Sequence, residues 1–228
     1  MPIRVVTCMH GRPEVTRIFI AGLQRVGLPC TAAISPNDHL NEAMCIENGI
    51  DFVTVANEPL GAKWNAALGL ASLHQEWTGA MILGSDDLVS SDWVRTAEDM
   101  LDRGEKYLWP YSCAFYEPST ARAKMLTNSG TPLSFGAGRV IHRRLLERLD
   151  WKPWRDDLGM GLDQCCHARV KGLGAIIKWV DGPGPVSVVD IKTPDNMHPF
   201  ERFGGANITA DTALAFVSER ERKMIDDL

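Results

Sequence analysis

Cysteine pairs of the kind that hold metals are missing. Six cysteines (Cys8, Cys30, Cys45, Cys113, Cys165, Cys166) lie scattered in apolar stretches without CxxC spacing, so neither a cysteine zinc site nor a redox dithiol is expected. They read as buried thiols of a reducing cytosol. No apolar run approaches the roughly 18–20 residues that span a bilayer, and the strand-like opening "PIRVVTCM" lacks signal-peptide architecture. The expectation is a soluble, intracellular, cytoplasmic chain with no membrane partner. Positive charge is also short: 24 Lys and Arg against 29 Asp and Glu leave a net charge of -5. That gives no global attraction for a polyanion, so a nucleic-acid partner would need a local basic patch. With no internal repeat or low-complexity linker, residues 1–228 read as one domain.

What is present is an alternation. "IRVVTCM" reads as a strand, and Pro13 suits the first turn of a helix with Val15, Ile18, Phe19, Leu23 and Val26 at helical spacing, ended by Gly27 and Pro29. "CTAAIS", "DFVTVA" and "AMILGS" give three more strands, separated by helices in "NDHLNEAMCIEN" and over 62–75. Ser90 or Ser91 caps a further helix whose stripe is Trp93, Val94, Ala97 and Leu101. A β-α unit repeated four times predicts an α/β fold with a mostly parallel, Rossmann-like central sheet flanked by helices.

The second half is less regular. "KYLWPYSCAFY" reads as a strand interrupted by Pro110, and 117–138 as a long loop. Helices near 140–149 and 162–171, strands "AIIKWV" and "VSVVDI", and a C-terminal helix from about 210 complete the pattern.

In "ILGSDDLVSSDW" two adjacent carboxylates, Asp86 and Asp87, follow a strand. Open α/β sheets bind ligands at the carboxyl ends of their strands. Two neighbouring carboxylates repel unless a cation or proton compensates them, and oxygen ligands suit Mg²⁺ or Mn²⁺. The plainer reading is a solvated turn with an aspartate capping the next helix.

The order of "VVTCMHGRPE", "NEPLGAKWNAALGLA", "ILGSDD" and "GMGLDQCCHARV" over about residues 3–170 resembles the nucleotide-sugar-dependent glycosyltransferases of the GT-A fold, in their large family 2-like group. The resemblance implies a nucleotide-binding half over about 1–104 and an acceptor and catalytic half over about 105–228. It puts Thr7, His10 and Arg12 near the donor nucleotide, and Gly61, Lys63 and Asn65 beside the diphosphate. "SDD" stands at the DxD-type motif, which makes Asp87 the metal ligand with Asp86 second. Ser85 replaces the motif's first acidic residue and remains a donor-side candidate. Asp163 stands where the family carries its catalytic base, with Leu162 in place of the usual preceding glutamate. Its plainer role is to cap a helix running through Cys165, Cys166 and Val170. In "VVDIKTPDNMHPFERFGG", Lys192 is a phosphate-side candidate and His198 a further metal ligand, while Asp190 reads as strand packing or as a partner of Lys192.

The implied function is a metal-dependent (Mn²⁺ or Mg²⁺), inverting transfer of one sugar from a nucleoside-diphosphate sugar, a UDP-sugar first, to a hydroxyl acceptor. The QxxRW motif of processive synthases is absent, which favours single transfer. A hydroxymethylated DNA base is one such acceptor and predicts a basic stripe through Arg122, Lys124, Arg139, Arg143 and Arg144. Two alternatives differ in class. A sugar-phosphate nucleotidyltransferase would carry a glycine-rich phosphate loop where "MHGRPE" has one glycine, and a non-catalytic GT-A-like binding protein would fit the losses at Ser85 and Leu162. Trp151 and Trp154 offer flat apolar faces, for a sugar or for packing under a loop.

Overall fold

The computed structural model describes residues 2–128 and 135–228. In chain order the elements are β1 (Ile3–Met9), α1 (Pro13–Val26), β2 (Cys30–Ile34), α2 (His39–Glu47), β3 (Asp51–Thr54), α3 (Leu60–Ala71), β4 (Gly79–Ile82), β5 (Asp87–Val89) and α4 (Ser91–Asp102). There follow β6 (Tyr107–Pro110), β7 (Ser112–Glu117), β8 (Arg122–Thr127), β9 (Arg139–His142), α5 (Arg143–Arg148), α6 (Leu162–Gly172), β10 (Lys178–Val180), β11 (Val188–Ile191), β12 (Ala206–Ile208), α7 (Ala210–Ala213) and α8 (Glu219–Asp226).

Seven strands form the main sheet in the order β10-β6-β9-β4-β1-β2-β3. β1, β2, β3 and β4 run parallel, as do β6 and β10, and β9 alone is antiparallel to its neighbours. Alternation along β1 separates two cores. Ile3, Val5 and Met9 join Phe19 and Leu23 of α1 and Trp93 and Leu101 of α4, whereas Val6 joins Leu68 of α3, Leu146 of α5 and Val170 of α6. Helices therefore cover both faces, which is why the strands read as continuous apolar runs. Helix ends follow local chemistry: Pro13 opens α1, Gly27 closes it in the left-handed region, and the Ser90 hydroxyl accepts from the Trp93 N–H at the start of α4.

A second sheet has the order β12-β8-β7-β11-β5. The strand pairings correct three expectations. The run 106–116 is two strands in two sheets, divided after Pro110, with the Tyr111 N–H donating to Val180. The supposed loop 117–138 contains β8, paired along its length with β7, and residues 129–134 lie outside the described residues. The helix near 140–149 begins as the buried strand β9 and is helical only over Arg143–Arg148. β10 and β11 are shorter than "AIIKWV" and "VSVVDI", and the C-terminal helix is two helices, α7 and α8.

Candidate active site

The site forms where β1 and β4 of the main sheet end and β5 begins. Between β4 and β5 the chain turns through Gly84, whose N–H donates to Asp87 Oδ2 at 2.6 Å. A Cβ on Gly84 would sit 2.5 Å from Asp86 Oδ1, so this turn needs glycine to bring two carboxylates so close to the backbone. β5 pairs antiparallel with β11, in a register that sets Asp190 opposite Asp87. Carboxylate oxygens of Asp86, Asp87 and Asp190 then lie within 4.8 Å of one another.

Each carboxylate has a different environment. Asp86 Oδ2 accepts from Arg12 Nη1 at 2.9 Å and from Asn196 Nδ2 at 2.6 Å. Asp190 Oδ2 pairs with the buried Lys192 ammonium at 2.7 Å, while its Oδ1 is buried with no hydrogen-bond partner among the described residues. Burial, followed by the negative charges of Asp190 and Asp86, pushes the Asp87 carboxyl well above the usual carboxylate range. Burial pushes Asp190 up to about 6, against the opposing pull of Lys192. Lys192 is itself shifted upward: desolvation opposes its charge, but Asp190 and Asp86 outweigh it. Arg12 reaches Asp86 from a left-handed backbone conformation (φ 49°) at the start of α1, a geometry that costs energy in a non-glycine residue and clusters at functional sites.

Two clefts open beside the carboxylates. One, of about 500 Å³, is bordered by Met9 at the end of β1, by His10 and Arg12 between β1 and α1, by Lys63 of α3, and by Ser85 and Asp86. The other, of about 390 Å³, contains Asp87, Asp190, Lys192 and Asp163 over a floor of Arg139 and Trp154. Asp163, in the first turn of α6, has Oδ1 2.7 Å from Arg139 Nη2. The Arg139 guanidinium is buried over the rings of Trp109 and Trp154, 5.6 and 5.7 Å from their centroids.

The residues named from sequence thus separate into groups. His10, Arg12, Lys63, Ser85 and Asp86 share the first cleft, and Asp86, Asp87, Lys192, Asp163 and His198 the second. Thr7 is fully buried within β1 and lines neither cleft. Gly61 and Asn65, expected beside the diphosphate, instead hold the segment after α5: the Gly61 N–H donates to Leu158, and Asn65 Nδ2 donates to the Trp154 carbonyl at 2.8 Å and to Asp156 at 2.8 Å. A Cβ on Gly61 would meet the Arg155 carbonyl oxygen at 2.0 Å. Lys63 is wholly buried and donates to Met9 O (2.6 Å), Ser35 Oγ (2.7 Å) and Asn57 Oδ1 (3.0 Å). His198 stands apart from the carboxylate group, with Nδ1 2.9 Å from Arg202 Nη1; burial, then Arg202 and Lys192, lower its pKa.

Sequence reasoning missed the place of Asp190 in the carboxylate group and the pairing of Arg139 with Asp163. The isolated acid within the apolar run "VSVVDI" was the available signal for the first. Nor do the five basic residues form one free stripe. Arg122 pairs with Glu117 and Glu201, Lys124 bonds the Phe203 carbonyl, Arg139 is buried, and Arg143 bonds the carbonyls of Ser72 and His74. Trp154 is packed, with 1% of its surface exposed. Among the described residues no helix is long and apolar enough to cross a membrane.

No family model and no curated protein matches the sequence. Solved structures do match the fold. TarS from S. aureus, residues 1–349 in complex with UDP-GlcNAc, is similar at 14% identity and a TM-score of 0.55, over 86% of this chain and 60% of that one. The inositol-1-phosphate CTP transferase from T. maritima is similar at 13% identity and a TM-score of 0.51, over 99% of this chain and 95% of that one. Rv0371c from Mycobacterium tuberculosis H37Rv is similar at 14% identity and a TM-score of 0.53, over 82% and 91%. The chain therefore spans about three fifths of the TarS chain, and the likeness is one of fold, which is GT-A-like.

Proposed function

We propose that this chain, built on the GT-A-like fold, is a metal-dependent glycosyltransferase that moves one sugar from a nucleoside-diphosphate sugar, a UDP-sugar first, to a hydroxyl acceptor with inversion. The observation that carries the reading is the three-carboxylate group of Asp86, Asp87 and Asp190, which lies at the boundary of two clefts. The donor set fits a hard divalent cation. All three ligands are oxygens, one carboxylate oxygen of Asp190 is buried without a partner among the described residues, and the repulsion from Asp190 and Asp86 that adds to burial in raising Asp87 is what a cation relieves. When bound, Mn²⁺ or Mg²⁺ would supply positive charge to the leaving diphosphate.

The chain's own residues do the rest. His10, Arg12 and Ser85 border the cleft assigned to the nucleotide. Arg12 and Lys192 already stand beside Asp86 and Asp190, so two fixed cations flank the position of the diphosphate. Asp163 is the general base: it faces the second cleft and accepts the proton of the acceptor hydroxyl as that oxygen attacks the anomeric carbon. Arg139 holds one of its oxygens and leaves the other to the acceptor. The UDP-GlcNAc complex of the TarS neighbour supports a UDP-sugar as the first donor to test.

Thermal unfolding with UDP, GDP, CDP and TDP, each with and without Mn²⁺, tests the donor site. The expected result is a rise in Tm with UDP that requires Mn²⁺ and disappears in Asp87→Ala, because a ligand bound only by the folded state stabilises it by mass action. No rise with any nucleoside diphosphate at millimolar concentration would overturn the reading.

A further inference from the structure

The two clefts share a narrow strip of wall formed by Arg12, Trp64, Gly84, Asp86 and Met197. A ligand long enough to occupy both must cross that strip. The geometry points to Trp64 as the platform on which the hexosyl group of the nucleoside-diphosphate sugar lies, a role that rests on the donor reading above and extends it to the recognition of the sugar.

Trp64 and Lys63 are neighbours in the first turns of α3, yet they face different surroundings. Lys63 is wholly buried, while Trp64 is half-buried and borders both clefts. The Trp64 ring rests against Trp154, with centroids 5.5 Å apart and planes tilted by 39°. Trp154 is fixed in turn by Asn65, whose side chain accepts from the Trp154 N–H at 3.3 Å and donates to its carbonyl at 2.8 Å. The residue after Trp64 thus anchors the backbone of the residue whose ring supports it, and the indole is set in place before any ligand arrives. Preorganised aromatic surface of this kind binds at low entropic cost.

The remaining chemistry of the strip divides the labour. Asp86 and Arg12 are the charged members, suited to a diphosphate and its cation, and they offer nothing to the apolar C–H face of a pyranose. Trp64 is the aromatic member, and a sugar ring stacks its C–H face on an indole while its hydroxyls stay free for the polar residues of the second cleft. A nucleotide held beside His10 and Arg12, with its diphosphate at Asp86, places the next group of the molecule at Trp64. Trp64 therefore reads the sugar and is indifferent to the base.

The test compares two probes, UDP and UDP-GlcNAc, by calorimetric titration in the presence of Mn²⁺. In Trp64→Ala, affinity for UDP-GlcNAc is expected to fall by about three- to tenfold, the range of one aromatic contact, while affinity for UDP stays within about twofold of wild type. Trp64→Phe, which keeps a ring, should recover most of the difference. A parallel loss for both probes would make Trp64 a structural residue and overturn the inference, as would no loss for either. The same comparison between Trp64→Phe and Trp64→Leu decides the matter if the alanine variant fails to fold: equal affinities for UDP-GlcNAc in those two variants overturn it. A wild-type protein that binds neither probe defeats the donor reading and this inference together, a result distinct from the other two.

Discussion

Asp87 of β5 and Asp190 of β11 stand directly opposite one another in an antiparallel pair, the first buried and the second half-buried. Like charges in such a pair are destabilising. A fold designed for stability alone would place a threonine or an apolar residue at one of them. The chain instead keeps both, adds Asp86 from the adjoining turn, and partly offsets the three with Arg12 and Lys192. Three acids against two bases leave room for a cation.

The metal-free protein should therefore lose stability as pH rises. Asp190 releases its proton at about 6 in the folded chain, against 3.8 for an ordinary aspartate, and Asp87 is shifted the same way. Between about pH 4 and 6 the folded state holds protons that the unfolded state has released, so stability falls as pH climbs through that window. Asp87→Asn keeps an oxygen for the Gly84 N–H but removes the charge. In a chelator at pH 7 it should be more stable than wild type by on the order of 1 kcal/mol, with a flatter pH profile. Thermal melts from pH 4 to 8 check this; an asparagine variant less stable than wild type at pH 7 would refute it.

Asp163 is held from two sides. Arg139 grips Oδ1, and Gly136 lies so close that a Cβ there would come 2.1 to 2.6 Å from the carboxyl atoms. Gly136→Ala must displace the carboxylate without changing any charge. A base moved by about 1 Å is expected to cost about a hundredfold in kcat, while KM for the donor and the melting temperature change little. Arg139→Lys, which gives up the planar fork, should move in the same direction. Steady-state kinetics on both variants decide it, and unchanged kcat in Gly136→Ala would remove Asp163 from the reacting position.

The parts of this architecture that local chemistry determines were legible in the sequence. Pro13, Gly27 and Ser90 mark helix ends through rules that act within a few residues, and the four β-α units follow from periodicity. The second sheet was illegible because its pairings are distant: β11 meets β5 across about a hundred residues, and β8 lies in a run rich in loop-forming residues. The same distance hid Asp190 and Arg139, which have meaning only beside Asp87 and Asp163. Asn65 and Gly61 show the converse. Their spacing resembles a ligand motif, but their hydrogen bonds go to the segment 154–158, to its backbone and to the Asp156 carboxylate.

Lys63 supplies a stability prediction with a functional readout. Its ammonium ties the end of β1 to Ser35 after β2 and to Asn57 before α3, and burial lowers its pKa despite the nearby Cys8 and Asp38. Lys63→Met keeps the volume and leaves three acceptors without their donor. The cost is expected at about 2–4 kcal/mol, read as a lower denaturation midpoint. Because those segments also border the cleft proposed for the nucleotide, nucleotide affinity should fall as well. A variant as stable as wild type would show that water replaces the ammonium.

The last helix is fastened by a buried charge. Glu221, 1% exposed, takes two hydrogen bonds from Arg25 Nε of α1 (3.1 and 2.9 Å) and completes a reciprocal cap with Ser218 at the start of α8. Arg25 also donates to the Val89 carbonyl, so α8, α1 and β5 meet at one guanidinium, and β5 is the strand that carries Asp87. Removing one partner of such a pair leaves the other charge buried and alone, which costs about 3–5 kcal/mol. Glu221→Ala is therefore expected to be severely destabilised, whereas the double change Arg25→Met with Glu221→Leu should recover much of the loss. Denaturant unfolding of the two variants measures the difference. If the single and double variants unfold at the same midpoint, the stranded Arg25 charge is not the source of the penalty and the site is anchored by packing alone.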